Sequence, residues 1–114
     1  MCYYNAIKKK VSDFMKLFVD DLRDFPESFS LYNCTRTYKG AIQLLDFFKE
    51  VEIINLDYDL GTKETGLDIL KYIYENKIPV KHIIIHSTDL QGVSLMEKYI
   101  KEHFKDVLYT YSGH

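Results

Sequence analysis

The 114-residue chain has little of several things that would restrict its role quickly. It carries two cysteines, Cys2 and Cys34, without metal-type spacing, so neither a disulfide scaffold nor a thiolate metal site is expected. Two free thiols fit a reducing, cytoplasmic setting. No apolar stretch approaches the roughly 20 residues needed to cross a bilayer. The opening residues lack the apolar centre of a signal peptide. Charge of one sign is missing too. With 15 basic and 17 acidic residues the formal net charge is −2, too little positive charge to wrap a duplex, and sequence-specific DNA binding is not expected. A small phosphorylated ligand remains open, because it needs only one local cluster. Arginine is scarce, with Arg23 and Arg36 the only two. Internal repeats and low-complexity segments are absent.

What is present is core material. Hydrophobic residues make up 46% of the chain, including 7 Phe and 10 Tyr, enough for one domain without disulfides. Residues 1–14, with Lys8, Lys9 and Lys10, read as a flexible extension, and 15–114 as the domain.

Short apolar runs alternate with helix-period segments, the signature of a parallel sheet with crossover helices. Strands are expected at residues 16–19, 29–34, 51–56, 80–85 and 107–111. The nearly all-apolar character of 51–56 and the run Ile83-Ile84-Ile85 suit strands buried on both faces. Thr37 opens a helix to Lys49 with Ala41, Leu44, Leu45 and Phe48 on one stripe. A second helix, from Gly66 to Asn76, places Leu67, Leu70 and Tyr74 together, and a third, from Gly92 to Phe104, places Val93, Met96, Ile100 and Phe104 together. Pro26 keeps any helix after the first strand short.

Such sheets bind ligands beyond the carboxyl ends of their strands. Here those ends carry Asp20-Asp21, Asp57-Tyr58-Asp59 and His86-Ser87. Carboxylates gathered from neighbouring strands repel one another unless a cation lies between them, and oxygen donors with open water positions favour Mg²⁺. Asp20, Asp21 and Asp57 are therefore the candidate metal ligands. The competing role for Asp21 and Asp24 is helix capping, and for Asp59 loop solvation. Ser87 can donate to a phosphate oxygen, and His86 can exchange a proton near neutral pH. They can equally be a helix cap and a packed imidazole. Arg23 follows Asp20-Asp21 closely enough to grip a phosphate at the rim or to pair with a neighbouring carboxylate. Arg36 reads as structural.

At these residues the sequence resembles the cyclic-phosphate-processing receiver domains, a divergent branch of the two-component receiver fold. Val19-Asp20-Asp21-Leu22-Arg23-Asp24-Phe25-Pro26 is similar to their opening motif. Leu56-Asp57-Tyr58-Asp59-Leu60-Gly61 with Thr65-Gly66-Leu67-Asp68 is similar to the second, and Ile85-His86-Ser87 through Gly92 to the third. The resemblance implies a flavodoxin-like three-layer α/β sandwich with a five-stranded parallel sheet in the order 2-1-3-4-5, an acidic Mg²⁺ pocket, and a role toward cyclic phosphate ends or cyclic nucleotides. There are two departures from the family pattern. Tyr58 stands where a His is usual between the acids, and Thr88-Asp89 where a small residue and an Asn are usual. Ordinary phosphoacceptor receivers also carry a Lys at the end of the last strand, and residues 106–114 contain none.

Three functions follow as expectations. In the first, the domain is a metal-dependent cyclic phosphodiesterase or phosphohydrolase. Asp57, His86 and Ser87 are then catalytic, Arg23 and Ser87 hold phosphate, and the partner is a small phosphorylated ligand or a cyclic-phosphate RNA end. In the second, Asp57 is phosphorylated as in a response-regulator receiver of a phosphorelay. In the third, the pocket binds a nucleotide or a protein without chemistry.

Overall fold

A computed structural model describes residues 15–21 and 32–113. The sheet consists of β1 (Met15–Val19), β2 (Asn33–Thr35), β3 (Val51–Leu56), β4 (Val80–Ile85) and β5 (Leu108–Tyr111). Every pairing is parallel, in the order β2-β1-β3-β4-β5. The helices are α1 (Tyr38–Phe48), α2 (Gly66–Glu75) and α3 (Leu90–His103). The segment around Pro26, where any helix is expected to be short, lies outside the described residues, as do residues 1–14 and the first part of the expected second strand.

Registry explains where the core lies. Leu17 pairs with Ile54 and Ile54 with Ile83, and all three are fully buried. They share one cluster with Ala41 and Leu45 of α1, Ile69, Leu70 and Ile73 of α2, and Val93, Met96 and Ile100 of α3. The three described helices thus form one layer on one face, with α2 packed between α1 and α3. Each fully buried Leu or Ile contributes roughly 1.5–3 kcal/mol by leaving water. Strand alternation sends Phe18, Asn55 and Ile84, themselves in register, to the other face.

The helix ends follow their caps. Thr37 accepts from the Gly40 N–H at 2.9 Å and starts α1. Thr65 and Asp68 form a reciprocal capping box on α2. Asp89 accepts from the Gly92 N–H at 2.9 Å, so α3 begins at Leu90, two residues before the expected Gly92. The stripe of α2 also differs from the expected one. Gly66, Ile69, Leu70 and Ile73 are buried, while Tyr74 is 45% exposed. The stretch 69–74 offers two overlapping apolar stripes, and the one with the branched aliphatics meets the sheet. Tyr74 instead packs edge-on against Tyr99 of α3. Among the described residues no helix is long and apolar enough to cross a membrane.

Candidate functional site at the strand ends

The same registry builds the site. Val19, Leu56 and Ile85 lie abreast on β1, β3 and β4, so the next residues, Asp20, Asp57 and His86, form the following row. The ladder continues into that row. The Asp20 N–H donates to Thr35 O, the Asp57 N–H to Val19 O and the His86 N–H to Leu56 O, at 3.2, 3.0 and 3.0 Å. Ser112 extends the row past β5, its N–H donating to Ile85 O at 2.9 Å. β5 ends at Tyr111, and the residue that follows it in the row is this serine.

One side-chain ligand atom from each of Asp20, Asp57 and His86 lies within 4.8 Å of the other two. Asp20 and His86 are each only 2% exposed, and Asp57 is half-buried. His86 Nε2 lies 2.9 Å from Asp20 Oδ2, and His86 Nδ1 lies 2.5 Å from Asn55 Oδ1. The Phe18 ring stacks on the imidazole with centroids 4.9 Å apart and planes within 5°. Burial, followed by the nearby Asp20 charge, pushes the Asp57 carboxyl up from 3.8 to about 6. Hydrogen bonds from the Ser87 side chain and the Tyr58 N–H oppose that rise, and Asp21 adds to it weakly. The Ser87 oxygen also accepts from the Asp89 N–H at 3.1 Å.

The other candidate residues fall around this centre. Asp21 turns toward the loop after β3, where its Oδ2 would lie 2.9 Å from a β-carbon placed on Gly61. Among the described residues it is not within the close trio, which holds His86 instead. Asp59 shapes that loop by accepting from the Gly61 N–H at 2.8 Å. The carboxylate of Asp89 is committed to capping α3 and does not extend the acidic trio. Arg23 lies outside the described residues. Arg36, read as structural from sequence, reaches the rim, donating to the Asp20 carbonyl at 3.4 Å. Its signal was the strand order: in 2-1-3, the residue after β2 stands beside the end of β1. Asn55 was missed altogether. Cys34 is a free thiol whose burial pushes its pKa up, the opposite of a reactive cysteine.

Two glycines let the helices approach the row. A β-carbon on Gly66 would lie 2.2 Å from the Asp57 carbonyl oxygen, and one on Gly92 2.3 Å from the Tyr58 ring. Tyr58 therefore serves as packing against the start of α3. Gly66→Ala forces the Asp57 backbone to move, because the clashing atom is a carbonyl and cannot rotate away. A loss of about 1–3 kcal/mol is expected, seen as a Tm lower by roughly 5–15 °C. An unchanged Tm would show that α2 can slide without disturbing the row.

The family model of the cyclic-phosphate processing receiver domain matches residues 15–102. The chain belongs to that family. The match spans β1 through most of α3 and includes every residue of the trio. A signal receiver domain from Vibrio parahaemolyticus is similar in structure, with a TM-score of 0.54 and 23% sequence identity over 86% of this chain and 77% of that chain. At that identity the likeness speaks for the receiver fold alone. No curated protein matches the chain.

A divalent ion suits this receiver's donor set. Two carboxylates face one another in a partly dry pocket, and one of them holds its proton unusually tightly because of burial and, second, because of the other. A cation removes that repulsion. Asp20 and Asp57 would hold it, with Asp21 next to them at the loop.

Proposed function

We propose that this receiver domain is a divalent-cation-dependent pocket for a phosphate ester, acting on cyclic phosphates. The observation that carries the reading is the juxtaposition of Asp20 and Asp57 with the Ser87 side chain at the carboxyl ends of adjacent strands. When bound, the ion would draw charge from the phosphate oxygens and make phosphorus more electrophilic. Ser87 bonds the Asp57 carboxylate and is near enough to share its hydroxyl with a phosphate oxygen. Asp57, beside the ion, would accept a hydrogen bond from the attacking water and orient it, and the water's proton passes to solvent. Water adds to phosphorus, the bond from phosphorus to one ring oxygen breaks, and that oxygen leaves with a proton as a hydroxyl. The product is a phosphate monoester. His86 enters this reading as the group that orients Asp20, since both its ring nitrogens are engaged. Arg23 remains a proposed phosphate contact on sequence grounds, and Arg36 is a second basic group at the rim.

A phosphoacceptor role is the second reading. It is favoured by the place of Asp57 directly after the central strand with Ser87 beside it. The absence of Lys from residues 106–114 weighs against it.

An oligoribonucleotide with a 2′,3′-cyclic phosphate end, and cyclic nucleotides, are to be incubated with the protein and Mg²⁺ and followed by phosphorus NMR. Conversion to a monoester that is lost in EDTA and in Asp57→Asn is the expected result. Acid-labile phosphorylation of Asp57 by acetyl phosphate, without ester opening, would move the assignment to the second reading.

A further inference from the structure

Asn55 and His86 form a pair that the carboxylate chemistry leaves unexplained. Asn55 is 7% exposed and sits on a strand whose other inward residues are apolar. A buried polar side chain persists where its hydrogen bond is made. Its oxygen lies 2.5 Å from His86 Nδ1, and an amide oxygen only accepts, so Nδ1 carries a hydrogen. In the neutral ring that choice leaves the lone pair on Nε2, aimed at Asp20 Oδ2 2.9 Å away. Without an ion the two atoms are a buried ion pair, 2.9 Å apart, held by a shared proton whose place a cation can take. A proton on Nε2 would supply one charge. A divalent ion supplies two, and a third donor, Asp57, stands within 4.8 Å of both. Neighbouring ligand atoms around an octahedral ion with bonds of about 2.1 Å lie roughly 3 Å apart, which matches the His86–Asp20 spacing.

We propose that His86 Nε2 is a nitrogen ligand of the divalent ion held by Asp20 and Asp57, and that Asn55 is the positioning residue that fixes its tautomer. The inference rests on the cation pocket proposed above and changes what that pocket selects. One imidazole nitrogen among carboxylate oxygens favours Mn²⁺ and its later neighbours over Mg²⁺, which prefers an all-oxygen shell. Phe18 contributes by holding the ring plane. A metal-bound Nε2 is also withdrawn from proton transfer, as a metal-bound Asp57 is, so the reaction's acid–base work falls to water.

The test is electron spin echo envelope modulation on the full chain with Mn²⁺. The wild type should show the modulation of a directly bound ¹⁴N, and ¹⁵N-histidine labelling should replace it with the ¹⁵N pattern. His86→Gln should remove it, whereas His82→Gln, His103→Gln and His114→Gln should each keep it. Those three converse variants cover the case in which His86→Gln fails to fold. By titration Mn²⁺ should bind at least about tenfold more tightly than Mg²⁺. Asn55→Leu, close in volume, should weaken Mn²⁺ binding about 10- to 100-fold, and Asn55→Asp, which keeps an acceptor oxygen, should restore it. Mn²⁺ bound without a histidine nitrogen would overturn this inference and leave the cation pocket standing. No binding of either ion would overturn both.

Discussion

In EDTA near neutral pH, Asp57→Asn is expected to melt above the wild type, and with saturating Mg²⁺ the order is expected to reverse. Folded Asp57 keeps its proton up to about pH 6, whereas an unfolded aspartate gives it up near 3.8. The folded state therefore binds more protons in that window. Stability contributed by this group is complete below about pH 4 and is lost as pH rises through about 6. A displacement from 3.8 to about 6 corresponds to roughly 3 kcal/mol in full. Asp57 is half-exposed, and solvent screening reduces this to on the order of 1–2 kcal/mol. Asparagine removes that cost at neutral pH and removes a ligand with it. Wild type should gain about 2.7 kcal/mol at Mg²⁺ a hundredfold above its Kd, and the variant should gain almost nothing. Melting curves of both proteins, with and without Mg²⁺ and across this pH window, measure the two effects together. An equal Mg²⁺ response in the two proteins would remove Asp57 from the cation site.

Phe18→Ala should be the most damaging single change to the sheet. Phe18 is 2% exposed, stacks on His86 and meets Tyr32 edge-on at 6.3 Å. Truncating a buried Phe costs about 3–5 kcal/mol, which for a domain of this size lowers Tm by roughly 15–30 °C. Phe18→Leu restores most of the volume and should cost under about 1.5 kcal/mol. It does not restore the flat surface under the imidazole. Denaturant unfolding should therefore separate the alanine variant from the other two, while divalent-ion affinity should separate both variants from wild type. A leucine variant with wild-type affinity would show that the stack is packing only.

Much of this receiver is legible in its sequence, for a physical reason. Strands covered on both faces must be nearly continuous in apolar residues, so Val51–Leu56 and Val80–Ile85 stood out, and the abrupt acids after Val19 and Leu56 marked their carboxyl ends. Strand order then placed those ends together. What escaped depends on register rather than pattern. Asn55, like Glu52, looks like an interruption in an apolar run, and only its row with Phe18 and Ile84, beneath His86, gives it a partner. The departure of Asp21 toward Gly61 is set by the direction in which the chain leaves β1, which side-chain alternation does not encode. The bond from Arg36 to the Asp20 carbonyl, which fits its structural reading, depends on β2 lying outside β1. The stripe of α2 was misplaced because Tyr74 is apolar enough to compete with Ile73 in a count of periods, and only the geometry of α3 decides between them.

The continuation of the ladder through Asp20, Asp57 and His86 has a consequence for how the pocket can respond. Many ion sites are draped on loops, so that losing the ion melts a segment and broadcasts the loss. In this receiver the three groups are anchored by backbone amides that let go only when the central strands part. An empty pocket and a filled one should therefore have nearly the same backbone, with occupancy felt as tension between charges rather than as order and disorder. Whatever reads the state of this site must read its field, or the few side chains around its rim.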